Sequence, residues 1–400
     1  MKVGIHRMAA WGGRGALDLS ELARARGADP AMLGDTLMVA ERTVLAPWED
    51  PVTQAVNAAK PILDDDTRRR VRWLLVSTES SLDEEKPLSS WVHHWLGLPS
   101  SCRNVEVKHA CYGGTAALRL ALAWLTAEGA PDDLALVVTS DLSLLGLGAP
   151  YEYVLGAGAT ALLLARDPDL LEVEPRTAGV FAAEVTDVIR PTPWLETGNS
   201  DTSLFSYLDG VDGAFDAFED KNGPTDLDRD FVAHVYHAPF GGITARAHER
   251  LLLRAHPDWS RRACRAHFAD RVQPSLSIHR RTGGVYSGST FLSLLGTLLE
   301  RPDLAEGDAV SVYSYGSGSC AEFYRARVGP HPERATDPRP QLDERRWVDV
   351  ATYEALEQAR RDARGAADHR PPPTEGWAPG PGELVLDHVA DHVRHYRWAR

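Results

Sequence analysis

The chain has 400 residues and a formal net charge of −14, which argues against nucleic acid or an anionic membrane surface as its main partner. Hydrophobic residues make up 43% and charged residues 25%, the balance of a globular enzyme with length enough for two domains or one duplicated fold. No apolar run is long enough to span a bilayer. The opening MKVGIHRMAAWGGRG lacks a signal-peptide core, and four cysteines with no CxxC pair suit neither a disulfide framework nor a zinc site. These features predict a cytoplasmic protein.

In chain order, WLLVSTES (residues 73–80) reads as a strand ending in polar residues, and WVHHWLGL (91–98) as a short helix. VEVKHA (105–110) leads into Cys111 and then into GGTAALRLALAWL, a helix whose one charge is Arg119. LALVVTSDL (134–142) is an apolar strand, and GAGATALLLARD (156–167) is another, entered through a glycine turn. The second half repeats the order. FVAHVYHAPF (231–240) is a strand running into a loop, TGGVYSGSTFLSLLGTLLE (282–300) is glycine-rich and then helical, and AVSVYSYGSGSCAEFYRARV (309–328) is two strands around a glycine turn. This weak duplication predicts an N-terminal half over 1–167 and a C-terminal half over 168–400. A central helix from each half would be covered on all sides, which explains the apolar Cys111 helix. HRPPPTEGWAPGPGE (369–383) reads as a surface loop, and LVLDHVADHVRHYRW (384–398) as a terminal helix docking back on the body.

A free cysteine is by default a small buried hydrophobe, the reading given to Cys102, Cys264 and Cys320. Cys111 differs because it stands where strand gives way to helix. Unpaired amides and the helix dipole there favour a thiolate. Gly113 and Gly114 let a backbone or a substrate come close, and the polar strand end STES supplies an acid or base.

EVKHACYGGTAAL resembles the active-cysteine motif of the 3-hydroxy-3-methylglutaryl thioester synthases, the HMG-CoA synthase family of the thiolase superfamily. EDPVTQAVNAAKPIL, VSTESSLDEEKPLSSWVHHWLGLPS, YEYVLGAGATALLL, DTSLFSYLDG, HAPFGG and YSYGSGS extend the likeness through most of the chain. EDPVTQAVNAAKPI and HAPFGG lean towards the synthases that place β-branches on carrier-protein-bound polyketides. The resemblance implies an α/β fold of the thiolase type, five αβαβα layers built from two similar halves, and a homodimer. It implies that Cys111 takes an acetyl group from a thioester, that Glu79 removes a methyl proton, and that His237 polarises the β-carbonyl of the acceptor. Such chemistry needs a carboxylate against a weakly acidic methyl group and donors for the enolate oxygen. The Cys111 amide and the turn at Tyr315, Gly316 and Ser317 are the candidate donors. No metal or redox cofactor is implied; phosphopantetheine thioesters, on carrier proteins or CoA, are the substrates.

Two positions depart from the family pattern. Gly284 stands where the family has an asparagine, an amide expected to help bind thioester or acceptor. Ala245 and Arg246 occupy the stretch after HAPF where the family has a lysine. Residues 246–267 hold six arginines against Glu249 and Asp258, a local excess of +4. A charge run of this kind is commonly a solvated helix face. Directly after the His237 loop, Arg246, Arg250, Arg261 and Arg262 also suit a pantetheine phosphate or the acidic surface of donor and acceptor carrier proteins. The competing readings are a CoA-dependent synthase, a relative that only transfers its acyl group to an amine or alcohol, and a non-catalytic subunit that binds carrier proteins.

Overall fold

A computed structural model describes residues 1–143, 146–149, 151–192 and 195–400. The first half supplies strands β1 (Val3–Trp11), β2 (Val71–Ser77), β3 (Arg103–Val107), β4 (Leu134–Leu142) and β5 (Ala157–Arg166). Its helices are α1 (Pro51–Ala59), a short helix Leu88–Trp95, and α2 (Gly113–Ala127). The second half supplies β6 (Leu171–Val173), β7 (Gly179–Ala182), the hairpin strands β8 (Val188–Thr192) and β9 (Leu195–Gly198), and α3 (Ser200–Asn222). Then come β10 (Ala233–Tyr236), α4 (Gly241–Ala255), α5 (Arg261–Arg271), α6 (Ser289–Glu300), β11 (Ala309–Gly316) and β12 (Cys320–Val328).

The expected duplication is visible in the pairing. In the first half β2 runs parallel to β4, while β4–β5 and β5–β1 are antiparallel. In the second, β10 runs parallel to β11, while β11–β12 and β12–β6 are antiparallel. A short contact of β1 with β6, Gly4 opposite Glu172, joins the two into one strand path, β10-β11-β12-β6-β1-β5-β4-β2-β3.

Strand periodicity builds the layers. Along β4, Leu134, Leu136 and Val138 pack towards α1 and the Leu88–Trp95 helix, while Ala135 and Val137 pack towards α2 and α6. Along β11, Val310 and Val312 join that same central cluster, and Tyr313 and Tyr315 face α3 and α4. Two central helices therefore lie between two sheets, with helices outside each. This is the thiolase-type fold.

Three expectations need correction. The α2 helix is not covered on all sides: Leu118, Ala121, Leu122 and Leu125 are buried, but Leu120 is 47% exposed. In the single chain the apolar stripe exceeds what the second half covers. The Cys320 side chain is only partly buried, whereas Cys102 and Cys264 are enclosed. The terminal segment is a hairpin, β13 (Leu384–Ala390) with β14 (Val393–Trp398), instead of a helix. Asp391 and His392 between them both have positive φ, 47° and 65°, as a tight two-residue hairpin turn requires. The hairpin docks on α1: Asn57 exchanges side-chain hydrogen bonds with the Leu384 backbone, and the Tyr396 hydroxyl donates to Asp50 at 2.7 Å. Those tertiary partners, with β-branched Val385, Val389 and Val393, outweigh the helical spacing of the histidines.

Candidate active site

Cys111 follows directly on Ala110, whose φ of 40° is rare for a side-chain-bearing residue, and the chain then enters α2 through Tyr112. This sharp turn is locked from two directions. A Cβ on Gly113 would sit 2.5 Å from the Ser77 Oγ, and one on Gly114 would sit 2.4 Å from the Ser287 carbonyl. The close approach these glycines permit is therefore that of the protein's own chain, β2 of the first half at Gly113 and the second half at Gly114. Gly316 plays the reciprocal part: its Cβ would meet the Tyr112 nitrogen at 2.4 Å. That contact presses the end of β11 on the cysteine turn and brings Ser317 to the same cavity. Buried Asp187 braces the turn, accepting from the Tyr315 hydroxyl at 3.1 Å and from the Gly318 amide at 3.2 Å.

A cavity of about 570 Å³ gathers Glu79, Cys111, His237, Tyr315 and Ser317. Glu79 sits two residues beyond the end of β2, in the polar segment expected to hold it. Its amide donates to Asp141 Oδ1 at 2.7 Å and its carbonyl accepts from the Arg190 guanidinium. Asp141 is itself fixed by the hydroxyls of Thr78, Ser80 and Ser287. Burial, helped by the nearby Asp141 charge, pushes the Glu79 carboxyl up to about 8, and it interacts directly with the Cys111 thiol. One of its carboxylate oxygens, Oε1, is buried without a partner.

The thiol is also held well above its ordinary range, first by burial and then by Glu79, Asp141 and Glu196. This overturns the expectation of a resting thiolate: three carboxyl groups around an enclosed sulfur outweigh the helix amides. The cysteine waits as a thiol beside a carboxyl that titrates near neutrality.

His237 is 1% exposed. Its amide donates to the Tyr313 carbonyl at 2.7 Å, its carbonyl accepts from Tyr207, and Nδ1 lies 3.4 Å from the Thr290 hydroxyl. Burial pulls the imidazole down to about 3, so it is neutral at physiological pH, with Nε2 buried and unpartnered. His234 points elsewhere, its Nδ1 bonded to Ser311 on the outer face of the sheet.

Of the remaining predicted residues, only Arg246 lines the cavity. Gly284 does not: its amide and carbonyl bond the Val154–Gly156 segment, and a Cβ would meet the Pro239 carbonyl at 2.8 Å. Backbone crossing, rather than ligand contact, explains a glycine there. Arg250 is also away from the cavity, bonded to Asp212 at 2.6 Å, and Arg254 pairs with Asp216 and Glu219 on α3. Arg261 and Arg262 lie exposed on α5, beyond a turn. The basic run is thus divided, because α3 neutralises its middle.

Four contributors went unnoticed in the sequence. The hairpin of β8 and β9 covers the cavity, with Arg190 paired to Glu196 and the Tyr286 hydroxyl 3.3 Å from Glu196. An Arg and a Glu on short polar strands look solvated, so no sequence signal marks them. Asp141 did carry a signal, a carboxylate near the end of a strand that opens on five apolar residues and is buried along its whole length. A second cavity of about 450 Å³ lies between the N-terminus of α1, the Val350–Ala363 helix and the C-terminal hairpin. It contains none of Cys111, Glu79 and His237.

A cysteine at the mouth of a central helix, facing a glutamate and a neutral histidine across one cavity, marks a thiolase-fold enzyme that works on thioesters. Comparisons with known proteins narrow the class. The hydroxymethylglutaryl-coenzyme A synthase N-terminal and C-terminal family models match residues 59–169 and 258–397. The polyketide biosynthesis 3-hydroxy-3-methylglutaryl-ACP synthase PksG of Bacillus subtilis is 32% identical, covering 100% of this chain and 99% of its own. The hydroxymethylglutaryl-CoA synthase of Enterococcus faecalis is 30% identical over 89% of this chain and 91% of its own. Among solved structures, the HMG synthase of the curacin biosynthetic pathway in complex with holo donor-ACP superposes with a TM-score of 0.94, at 32% identity and full coverage of both chains. The chain belongs to the hydroxymethylglutaryl-CoA synthase family, and is a condensing acyltransferase.

Proposed function

We propose that the protein condenses an acetyl group carried on Cys111 with a β-ketoacyl thioester, both delivered on acyl carrier proteins, to give an HMG-type β-branched thioester. The observation that carries this reading is the full-length likeness to PksG and to the curacin synthase, together with Glu79, Cys111 and His237 around one cavity. Cys111 attacks the donor thioester, and its proton leaves with the pantetheine thiol. Glu79 takes a proton from the acetyl methyl group, and the Cys111 and Ser317 region stabilises the enolate oxygen. A neutral His237 donates from Nε2 to the acceptor carbonyl as it becomes an alkoxide. Water then releases the product from Cys111.

Arg246 at the cavity suits the phosphate of the pantetheine arm. Its neighbour Ala245, where the family lysine is expected, packs into the α3–α4 core. A cytoplasmic homodimer fits the exposed Leu120 stripe and the outer edge of β3, where Val105 is 38% exposed. Among the described residues no helix is long and apolar enough to cross a membrane.

The test is intact-mass analysis after mixing with acetyl-carrier protein, acetyl-CoA and longer donors separately. Faster acylation from acetyl-CoA than from any carrier protein would move the chain to the CoA-dependent branch. Acylation without exchange of the acyl methyl protons with solvent would reduce it to simple acyl transfer. No acyl group on Cys111 from any donor would leave a binding subunit.

A further inference from the structure

The condensation uses none of the three histidines stacked on the outer face of the second sheet. His234 on β10, His248 on α4 and His267 on α5 are all buried, and one ring nitrogen from each comes within 4.8 Å of the others. We propose that these three imidazoles bind one divalent transition-metal ion, zinc foremost, as a structural site.

The argument rests on how each ring is held. His234 Nδ1 lies 2.7 Å from the Ser311 hydroxyl, His248 Nδ1 2.9 Å from the Tyr236 hydroxyl, and His267 Nε2 3.2 Å from Asp228 Oδ1. The outer nitrogens of His234 and His248 therefore have hydroxyl partners, and that of His267 has a carboxylate nearby but outside hydrogen-bond geometry; such partners orient imidazoles in metal sites. The opposite nitrogens face one another. His248 Nε2 and His267 Nδ1 are 2.8 Å apart, and His234 Nε2 is buried and makes no hydrogen bond among the described residues. An orphaned ring nitrogen aimed at two others is costly unless something occupies the space between them.

Zinc–nitrogen bonds of about 2.0–2.1 Å put tetrahedral ligands roughly 3.3 Å apart. The His248–His267 pair opens slightly and His234 closes in by rotamer adjustment. The one proton between the inner nitrogens moves to the outer nitrogen of the ring that carried it; the other ring already holds its proton there, so both outer nitrogens then face Tyr236 and Asp228 as donors. Neutral imidazoles suit such an ion. Asp228 offsets part of the ion's charge. Arg271, the nearby cation, is engaged by the Phe231 and Val232 carbonyls and by Asp270. The ion would clamp α4 and α5 to β10, the strand whose end presents His237.

The ligands are 14 and 19 residues apart in sequence, outside any short-spacing motif, which is why no metal was expected. The experiment uses untagged full-length Cys111→Ala protein, so that the thiol cannot hold metal. After chelation, it is titrated with Co2+ and, separately, dialysed against Zn2+ for elemental analysis. The expected result is one equivalent of either metal, with cobalt d–d bands lacking a thiolate charge-transfer band. Three paramagnetically shifted imidazole N–H signals should appear in the proton spectrum. His234→Gln and His267→Gln should each lower bound zinc at least tenfold. The spectrum of the parent protein decides the ligands even where a variant misfolds. Less than a tenth of an equivalent bound, fewer than three shifted imidazoles, or unchanged metal in both folded variants would overturn the site.

Discussion

Glu79→Gln tests whether the carboxyl beside Cys111 is held as its surroundings require. In the unfolded chain it titrates near its ordinary value of 4.5, and in the folded protein near about 8. A carboxyl raised in this way stabilises the fold fully only below the lower value, and the contribution is lost as pH rises through the upper one. Each pH unit well between the two lowers stability by about 1.4 kcal/mol, and the slope halves at the upper value, giving about 2 kcal/mol from pH 6 to pH 8. Glutamine keeps the shape and carries no titration, while Asp141 stays in both proteins. Urea unfolding at fixed protein concentration should therefore show the variant gaining on the native protein by that amount over this range, with little further change above pH 9. A stability difference that stays flat from pH 6 to pH 8 would mean that Glu79 is an ordinary solvated carboxylate. The same variant should accept acetyl on Cys111, seen by intact mass, yet fail to condense, because the carboxylate is needed only when the methyl proton leaves. Condensation at near the native rate would remove Glu79 as the base.

Cys111→Ala should abolish acylation; label on Cys264 or Cys320, with native Cys111 unlabelled, would defeat the assignment. His237→Ala should leave the acyl-enzyme intact and cut condensation by 100-fold or more. Since the native imidazole stays neutral down to about 3, the condensation rate should show no inflection of histidine type between pH 5.5 and 7, and one that disappears in the alanine variant would contradict the neutral donor. Gly316→Ala should cost about 2–4 kcal/mol, because backbone of the Cys111 turn cannot yield to a Cβ at 2.4 Å; a thermal midpoint within a degree of native would show that the turn gives way. Arg190→Met should leave Glu196 without its cation, with only the Tyr286 hydroxyl beside it, and loosen β8 and β9 over the cavity, raising hydrogen exchange in residues 188–192 and 195–198 while the strands of the main sheet stay protected. Unchanged exchange there would show that the hairpin is held by its apolar contacts alone.

Much of the fold was legible because its strands have two buried faces and its central helices little charge, patterns that only a layered α/β core accommodates. The cysteine, the glutamate and the histidine were legible because each stands where a regular element ends, within a short distinctive motif. The C-terminal hairpin was misread because a short segment with both valines and spaced histidines satisfies two periodicities, and α1 chooses between them by supplying Asn57 and Asp50. The basic run was misread for a related reason: charge along a sequence says nothing of the acidic helix that folds against it. Sequence alone determined which residues carry reactive groups and which stretches must be buried. Tertiary structure decided their ionisation, because protonation depends on how many charges share a closed space. Burial first, then Asp141 and Glu196, distant in sequence, hold Cys111 as a thiol where a thiolate was expected and raise Glu79, while Arg190 offsets part of that rise.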